Sequence, residues 1–205
     1  MLLGAALIVG ALSLFLSNQK EASQAEEACV QLMPQLVEVI EENARENPEP
    51  STYEQPIGTP VEYLDPSAFV MTEVEIDGYF YIGHLSIPRL GLDLPIMADW
   101  DYPSLKIAPC RYAGSVRGED LVLMAHNYAS HFGGLSQLAE GDRVIFTDMD
   151  GVVTVYEVVG QDILPPDAIQ EMTAGEFDLT LFTCTYGGKS RVTVYCDQVQ
   201  KKLLP

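Results

Sequence analysis

The chain has 205 residues, 47% of them hydrophobic, with 30 acidic side chains against 11 basic ones and a formal charge of -19. That composition supports one folded domain with a core plus an appendage and excludes disorder throughout. It also excludes an electrostatic nucleic-acid binder, since nothing here would neutralise a phosphate backbone.

Residues 2–16, LLGAALIVGALSLFL, carry no charge. At about 1.5 Å per residue the run 1–17 falls somewhat short of a roughly 30 Å hydrocarbon core, so it reads as a short membrane anchor or a signal-peptide core. The anchor is preferred, because no Lys or Arg precedes the run and Ser23-Gln24-Ala25 is a poor cleavage site. Residues 18–47 form a helical stalk, with Cys29, Met33, Leu36, Val37, Ile40 and Ala44 on one stripe and Pro34 expected to kink or split the helix. The charge imbalance is concentrated here and just beyond. Residues 20–77 hold 14 acidic and two basic side chains, Lys20 and Arg45, a solvated acidic segment. Residues 48–77, rich in proline at the start, read as an extended connector.

From residue 78 the pattern changes to short apolar runs broken by Gly, Pro and Asp. Strands are expected at 79–87, 93–96, 121–125, 143–147, 152–159, 179–184 and 191–199. Asp148-Met149-Asp150-Gly151 reads as a hairpin turn. Many short strands with little helix indicate an all-β barrel or sandwich over 78–205.

The four cysteines, Cys29, Cys110, Cys184 and Cys196, make no C-x-x-C pair and no zinc-like spacing with histidine. Cys184 ends an apolar run and is followed by Gly187-Gly188 and then Arg191. A two-residue turn on the glycines makes paired residue numbers sum to 375, which sets Cys184 directly opposite Arg191. Leu179, Leu181 and Thr183 then face Cys196, Val194 and Val192 on the opposite, core-like side, and a Cys184–Cys196 disulfide is disfavoured by parity. A bulge would shift this register by one and break the pairing. Beside a guanidinium the thiolate form, the nucleophile, is favoured. Acyl chemistry also asks for a histidine as acid and base. His126, at the end of LVLMAH, is preferred over His131 in the loop that follows, and His84 reads as a surface strand residue. A structural hairpin with a buried thiol is the alternative.

Beyond these pairings, Thr180-Leu181-Phe182-Thr183-Cys184 resembles the T-L-x-T-C strand end of sortases, the cysteine transpeptidases of Gram-positive cell surfaces. YIGHLSIPRLGLDLPI (81–96), LVLMAHN (121–127) and HFGGLSQLAEGDRVIFTD (131–148) are similar, in the same order, to that family's opening strands, its histidine strand and the stretch after it. The resemblance covers roughly residues 78–200. It implies an eight-stranded β-barrel with Cys184 as nucleophile, His126 as general acid and base, Arg191 as the positive group at the site and Thr183 as a substrate contact. It further implies cleavage of an L-P-x-T-G-like sorting signal between Thr and Gly, a thioacyl enzyme, and transfer of the surface protein to a peptidoglycan-precursor amine by an extracellular domain anchored in the cell membrane. No metal or organic cofactor is implied. Some relatives bind calcium, but Glu171, Glu176 and Asp178 read as a solvated acidic loop. The stalk, the His-Asn pair and the Cys-Thr-Tyr sequence are class-B-like, whereas the 164–178 segment is too short for that class's long inserted helix. Leu64-Asp65-Pro66-Ser67 keeps a pilin-polymerising sortase as an alternative, and a thiol hydrolase or a catalytically silent assembly module are the others.

Overall fold

The computed structural model describes residues 2–46 and 70–199. Most of the expected connector, with Asp65 and Pro66, lies outside them. The first element is one long helix, α1 (Leu2–Glu46), followed by strands β1 (Val74–Ile76), β2 (Tyr79–Ile87), β3 (Leu92–Met97), β4 (Cys110–Ala113), β5 (Leu121–Ala125), β6 (Arg143–Asp148), β7 (Val153–Leu164), β8 (Leu179–Cys184) and β9 (Arg191–Gln198). Two single-turn helices, α2 (Tyr102–Leu105) and α3 (Ile169–Met172), sit in the connections.

The strands run in the order β1-β2-β3-β4-β5-β8-β9-β7-β6, and β2 also pairs with β6. That last pairing closes a ring of eight strands, β2 to β9, with β1 beside the first residues of β2. Closure leaves the ring no open edge. Side chains alternate across the wall. Leu85, Ile87, Leu121, Leu123, Phe146, Leu179, Leu181, Val194 and Cys196 are all fully buried in one core.

Three strands, 79–87, 121–125 and 179–184, match their expected limits. Three elements differ by more than a residue. β1 falls within the stretch read as connector, because three residues carry too little periodicity to announce a strand. β4 is four residues long between Pro109 and Gly114, with Arg111 in its middle. β7 runs past its expected end at 159 to Leu164, since a bulge between Val158 and Gly160 keeps it paired with β9.

Helix α1 docks on the barrel along the expected stripe. Cys29, Leu36 and Ile40 of that stripe, with Leu32 beside them, are buried in the barrel's own core cluster, while Met33, Val37 and Ala44 are half-buried. Near its end the Asn43 Nδ2 donates to the Met149 carbonyl at 2.9 Å. There Gly151 has φ +80, and a β-carbon on it would meet the Ala44 Cβ at 2.7 Å, so the β6–β7 turn admits the helix only as glycine. Pro34 neither ends nor splits the helix. It stands on the exposed face, as does Val30, whose carbonyl loses its helical partner and can turn to water.

The uncharged start of α1 leaves Leu7, Ile8, Val9, Leu12, Leu14, Phe15 and Leu16 exposed. Among the described residues no helix is long and apolar enough to cross a membrane. The expected membrane segment is therefore the part of the fold reading that the structure does not reproduce: the apolar run gives way to Ser17, Asn18, Gln19 and Lys20 within the same helix.

Candidate active site

The β8–β9 hairpin pairs Leu179 with Cys196, Leu181 with Val194, Thr183 with Val192 and Cys184 with Arg191. The register is the expected one, although the loop is not. Thr185 N–H donates to the Ser190 carbonyl at 2.9 Å and Gly188 N–H to the Thr185 carbonyl at 2.8 Å, leaving four residues, 186–189, in the loop. Gly187 at φ +86 and Gly188 at φ +73 supply the left-handed backbone that this loop needs. A loop of four in place of two preserves parity, so the thiol and the guanidinium remain cross-strand neighbours. Cys184 and Arg191 are both half-buried. One arginine nitrogen, Nη1, donates to the Gly188 and Ser190 carbonyls at 3.3 and 3.1 Å, which fixes the guanidinium over its own loop.

His126 reaches the same end of the sheet by a different route. β5 and β8 are parallel, with Ala125 level with Thr183, so the next residues along the two strands are His126 and Cys184. The Thr183 Oγ1 donates to the Ala125 carbonyl at 2.8 Å. This side chain is 3% exposed and faces the core. Thr183, expected to touch substrate, is thus placed to lock the cysteine strand to the histidine strand.

Around His126 the structure assembles residues that the sequence reading passed over. The Tyr128 ring stacks on the imidazole, with centroids 4.9 Å apart and planes inclined by 30°. The Tyr128 hydroxyl donates to Glu21 Oε2 on α1 at 3.5 Å, and Glu21 lies 3.6 Å from Lys106 Nζ. Burial lowers the pKa of His126, Lys106 lowers it further, and Glu21 opposes both. His126 Nε2 is buried without a hydrogen-bond partner among the described residues.

His131, the less favoured histidine, is fully buried. Its Nε2 lies 3.6 Å from Cys29 Sγ, and that thiol donates to the Ile107 carbonyl at 3.3 Å. Burial, with a smaller contribution from His126, brings its pKa down to about 4. It is a core histidine against α1. His84 is held at 2.8 Å by Asp93 on the neighbouring strand. Cys29, Cys110 and Cys196 are buried thiols whose pKa burial pushes up to about 12, and all four cysteines are free. Cys184 is therefore the one cysteine with access to solvent. Asp178 accepts from Gln198 N–H at 2.7 Å, and no cluster of metal-ligating side chains occurs among the described residues.

The outer face of the sheet beside Cys184 is apolar. Phe182, two residues earlier and on the same side by parity, packs with Val122 and Met172. Tyr112 meets Phe182 edge-on at 5.3 Å, and the half-exposed Trp100 stacks on Tyr112 at 5.7 Å. A nucleophilic thiol, a partly desolvated imidazole and a fixed cation, bordered by an apolar floor, can hold an extended peptide and exchange its acyl group.

Comparison with known proteins agrees with this geometry. The family model described as Sortase domain matches residues 85–199, more than half of the chain. Sortase C1 of Streptococcus agalactiae is 27% identical over 60% of this chain and 71% of its own, with a TM-score of 0.51. Sortase C of Streptococcus pneumoniae aligns with 87% of this chain and all of its own at a TM-score of 0.57, and at 20% identity that likeness is one of fold. Sortase A of Corynebacterium diphtheriae aligns with 94% of this chain and 98% of its own at 20% identity and a TM-score of 0.56. No curated protein sequence matches the chain.

Proposed function

Because the chain belongs to the sortase family and is a cysteine transpeptidase, we propose that Cys184, His126 and Arg191 perform its reaction on the sorting signal of a surface protein. The observation that carries this reading is the pairing of Cys184 with Arg191 at the strand end where His126 leaves the parallel neighbour. The Cys184 thiolate attacks the carbonyl carbon before the scissile bond. His126, protonated, gives its proton to the departing amine as the C–N bond breaks and a thioester remains. An incoming amine then attacks the thioester, His126 takes up its proton, and the thiolate leaves as the new amide forms. Arg191 contributes the Nε and Nη2 donors that its own loop does not use to the oxygen that becomes negative. The apolar floor at Phe182 receives the signal upstream of the cut.

The signal is of the L-P-x-T-G type, cut between Thr and Gly, and the acceptor is a peptidoglycan-precursor amine. The exposed apolar start of α1 attaches the chain to the cell membrane as a short anchor with the barrel outside. A second reading, in which the acceptor is a lysine of another pilin subunit, is favoured by the likeness to sortase C structures. Incubation of the full chain with quenched L-P-x-T-G peptides and a small amine tests the reaction. Cleavage at Thr–Gly with amine added to the product is expected, and Cys184→Ala is expected to lower turnover at least about a thousandfold. Unchanged turnover in Cys184→Ala would overturn the assignment. Presenting a peptidoglycan amine and a pilin lysine in competition separates the two acceptors by product mass.

A further inference from the structure

A general acid and base works only if its ring is held in one plane and its charge state is set near the working pH. What holds the His126 ring is neither β5, which has ended, nor the Cys184 hairpin. It is the Tyr128 ring, stacked at 4.9 Å. Tyr128 is itself held on two sides. Its other ring neighbour is the buried His131 at 5.5 Å, and its hydroxyl reaches Glu21 on α1. His131 in turn rests on Cys29, one of the buried residues by which α1 docks. Because the Cys29 thiol gives its proton to the Ile107 carbonyl, its sulfur is free to accept from an Nε2–H of His131, which leaves Nδ1 the bare, buried nitrogen. A neutral His131 adds no positive charge beside His126.

We propose that Tyr128 is the positioning residue of His126 and that Glu21 holds Tyr128 in place, so that the docked helix α1 forms part of the catalytic apparatus. The proposal rests on the reading of His126 as the acid and base. It gives the helical stalk a role beyond spacing the barrel from a surface. The charged and titratable groups around His126 are Glu21 from α1, Lys106 from the segment after α2, Tyr128 and His131 from the loop after β5, and Cys184 and Arg191 from the ends of β8 and β9. Their signs make the variants distinguishable. Removing the Tyr128 ring admits water to the imidazole and relieves the desolvation that disfavours its charged form, so the His126 midpoint rises. Removing the Glu21 carboxylate takes away the α1 group that favours the imidazolium and leaves Lys106 unopposed, so the midpoint falls.

The test uses the full chain carrying ¹⁵N-labelled histidine, with the His126 ring titrated by NMR and signal cleavage followed as kcat and KM. Tyr128→Ala is expected to lower kcat about tenfold to a hundredfold with KM changed less than about twofold, and to raise the midpoint. Tyr128→Phe keeps the stacked ring but loses the hydroxyl by which Glu21 holds it, and is expected to recover only part of that loss. Glu21→Gln lowers the midpoint, a shift opposite to that of Tyr128→Ala, and one that simple destabilisation would not produce. Unchanged kcat in Tyr128→Ala, or midpoints moving the same way in both variants, overturns the proposal. If Tyr128→Ala does not fold, the direction of the Glu21→Gln shift decides. His126→Ala separates the two levels: full activity in it overturns the role of His126, whereas a dead His126→Ala beside a fully active Tyr128→Ala overturns the role of Tyr128 alone.

Discussion

The hairpin that carries Cys184 and the corner that carries His126 lie at one end of the barrel but are assembled from different distances along the chain. Cys184 and Arg191 are seven positions apart and meet because one loop fixes the parity of two strands. His126 is surrounded by Glu21, Lys106, Tyr128 and His131, and the bond from Tyr128 to Glu21 spans 107 positions. The setting of Cys184 is therefore local and survives any disturbance that leaves the hairpin closed. The setting of His126 depends on how α1 lies against the barrel. Beyond the β5–β8 ladder, a side-chain hydrogen bond joins the two, from Thr183 to the Ala125 carbonyl.

The hairpin half of that contrast breaks most severely by changing parity. Inserting one residue between Gly187 and Gly188 turns Cys184 and Arg191 to opposite faces or forces a bulge, and kcat/KM for signal cleavage is expected to fall about a hundredfold or more. Inserting two restores parity and most of the activity, and a similar loss from both insertions would show that loop shape rather than register matters.

The histidine corner is probed by acid. Burial takes His131 from its ordinary 6.5 to about 4. Between those two values the unfolded chain binds a proton that the folded chain does not, so stability falls as pH falls through that window and is whole above it. The size is about 3 kcal/mol, readable as the change in urea-unfolding free energy from pH 7 to pH 4. His131→Leu is expected to flatten that dependence, and an equally steep loss in the variant would assign it to other groups.

Thr183→Val tests the tie between the two regions. It leaves the Ala125 carbonyl buried without its donor, at a cost of about 1 to 3 kcal/mol in urea unfolding. It is expected to lower kcat as the Cys184 and His126 strands lose their lock. Loss of stability with kcat unchanged would reduce Thr183 to a core residue.

Much of the site was legible before any coordinates. Strand 179–184 and its partner announced themselves as short apolar runs, and the two glycines made a parity argument possible that the four-residue loop still obeys. His126 was legible as the end of an apolar run. Tyr128 was not, because an aromatic two residues beyond a histidine has no periodicity to mark it, and Glu21 was one glutamate among many on an acidic stalk. At Thr183 two signals pointed different ways. Its parity pointed to the core, yet its place beside the nucleophile suggested a substrate contact. β1 and β4 escaped because three or four residues are too few for a period of two to show.

Taken alone, the order of residues determined what depends on neighbours in the chain: the strands with clear alternation, the face each side chain takes, the stripe on α1 and the pairing of Cys184 with Arg191. Only the tertiary structure decided what depends on contacts between distant segments. It set α1 against the corner of His126, spent Thr183 on Ala125, and buried His131 on Cys29. The physical reason is that periodicity and turn chemistry act over a few residues, whereas desolvation and ring stacking are set by whatever segment arrives from elsewhere in the chain.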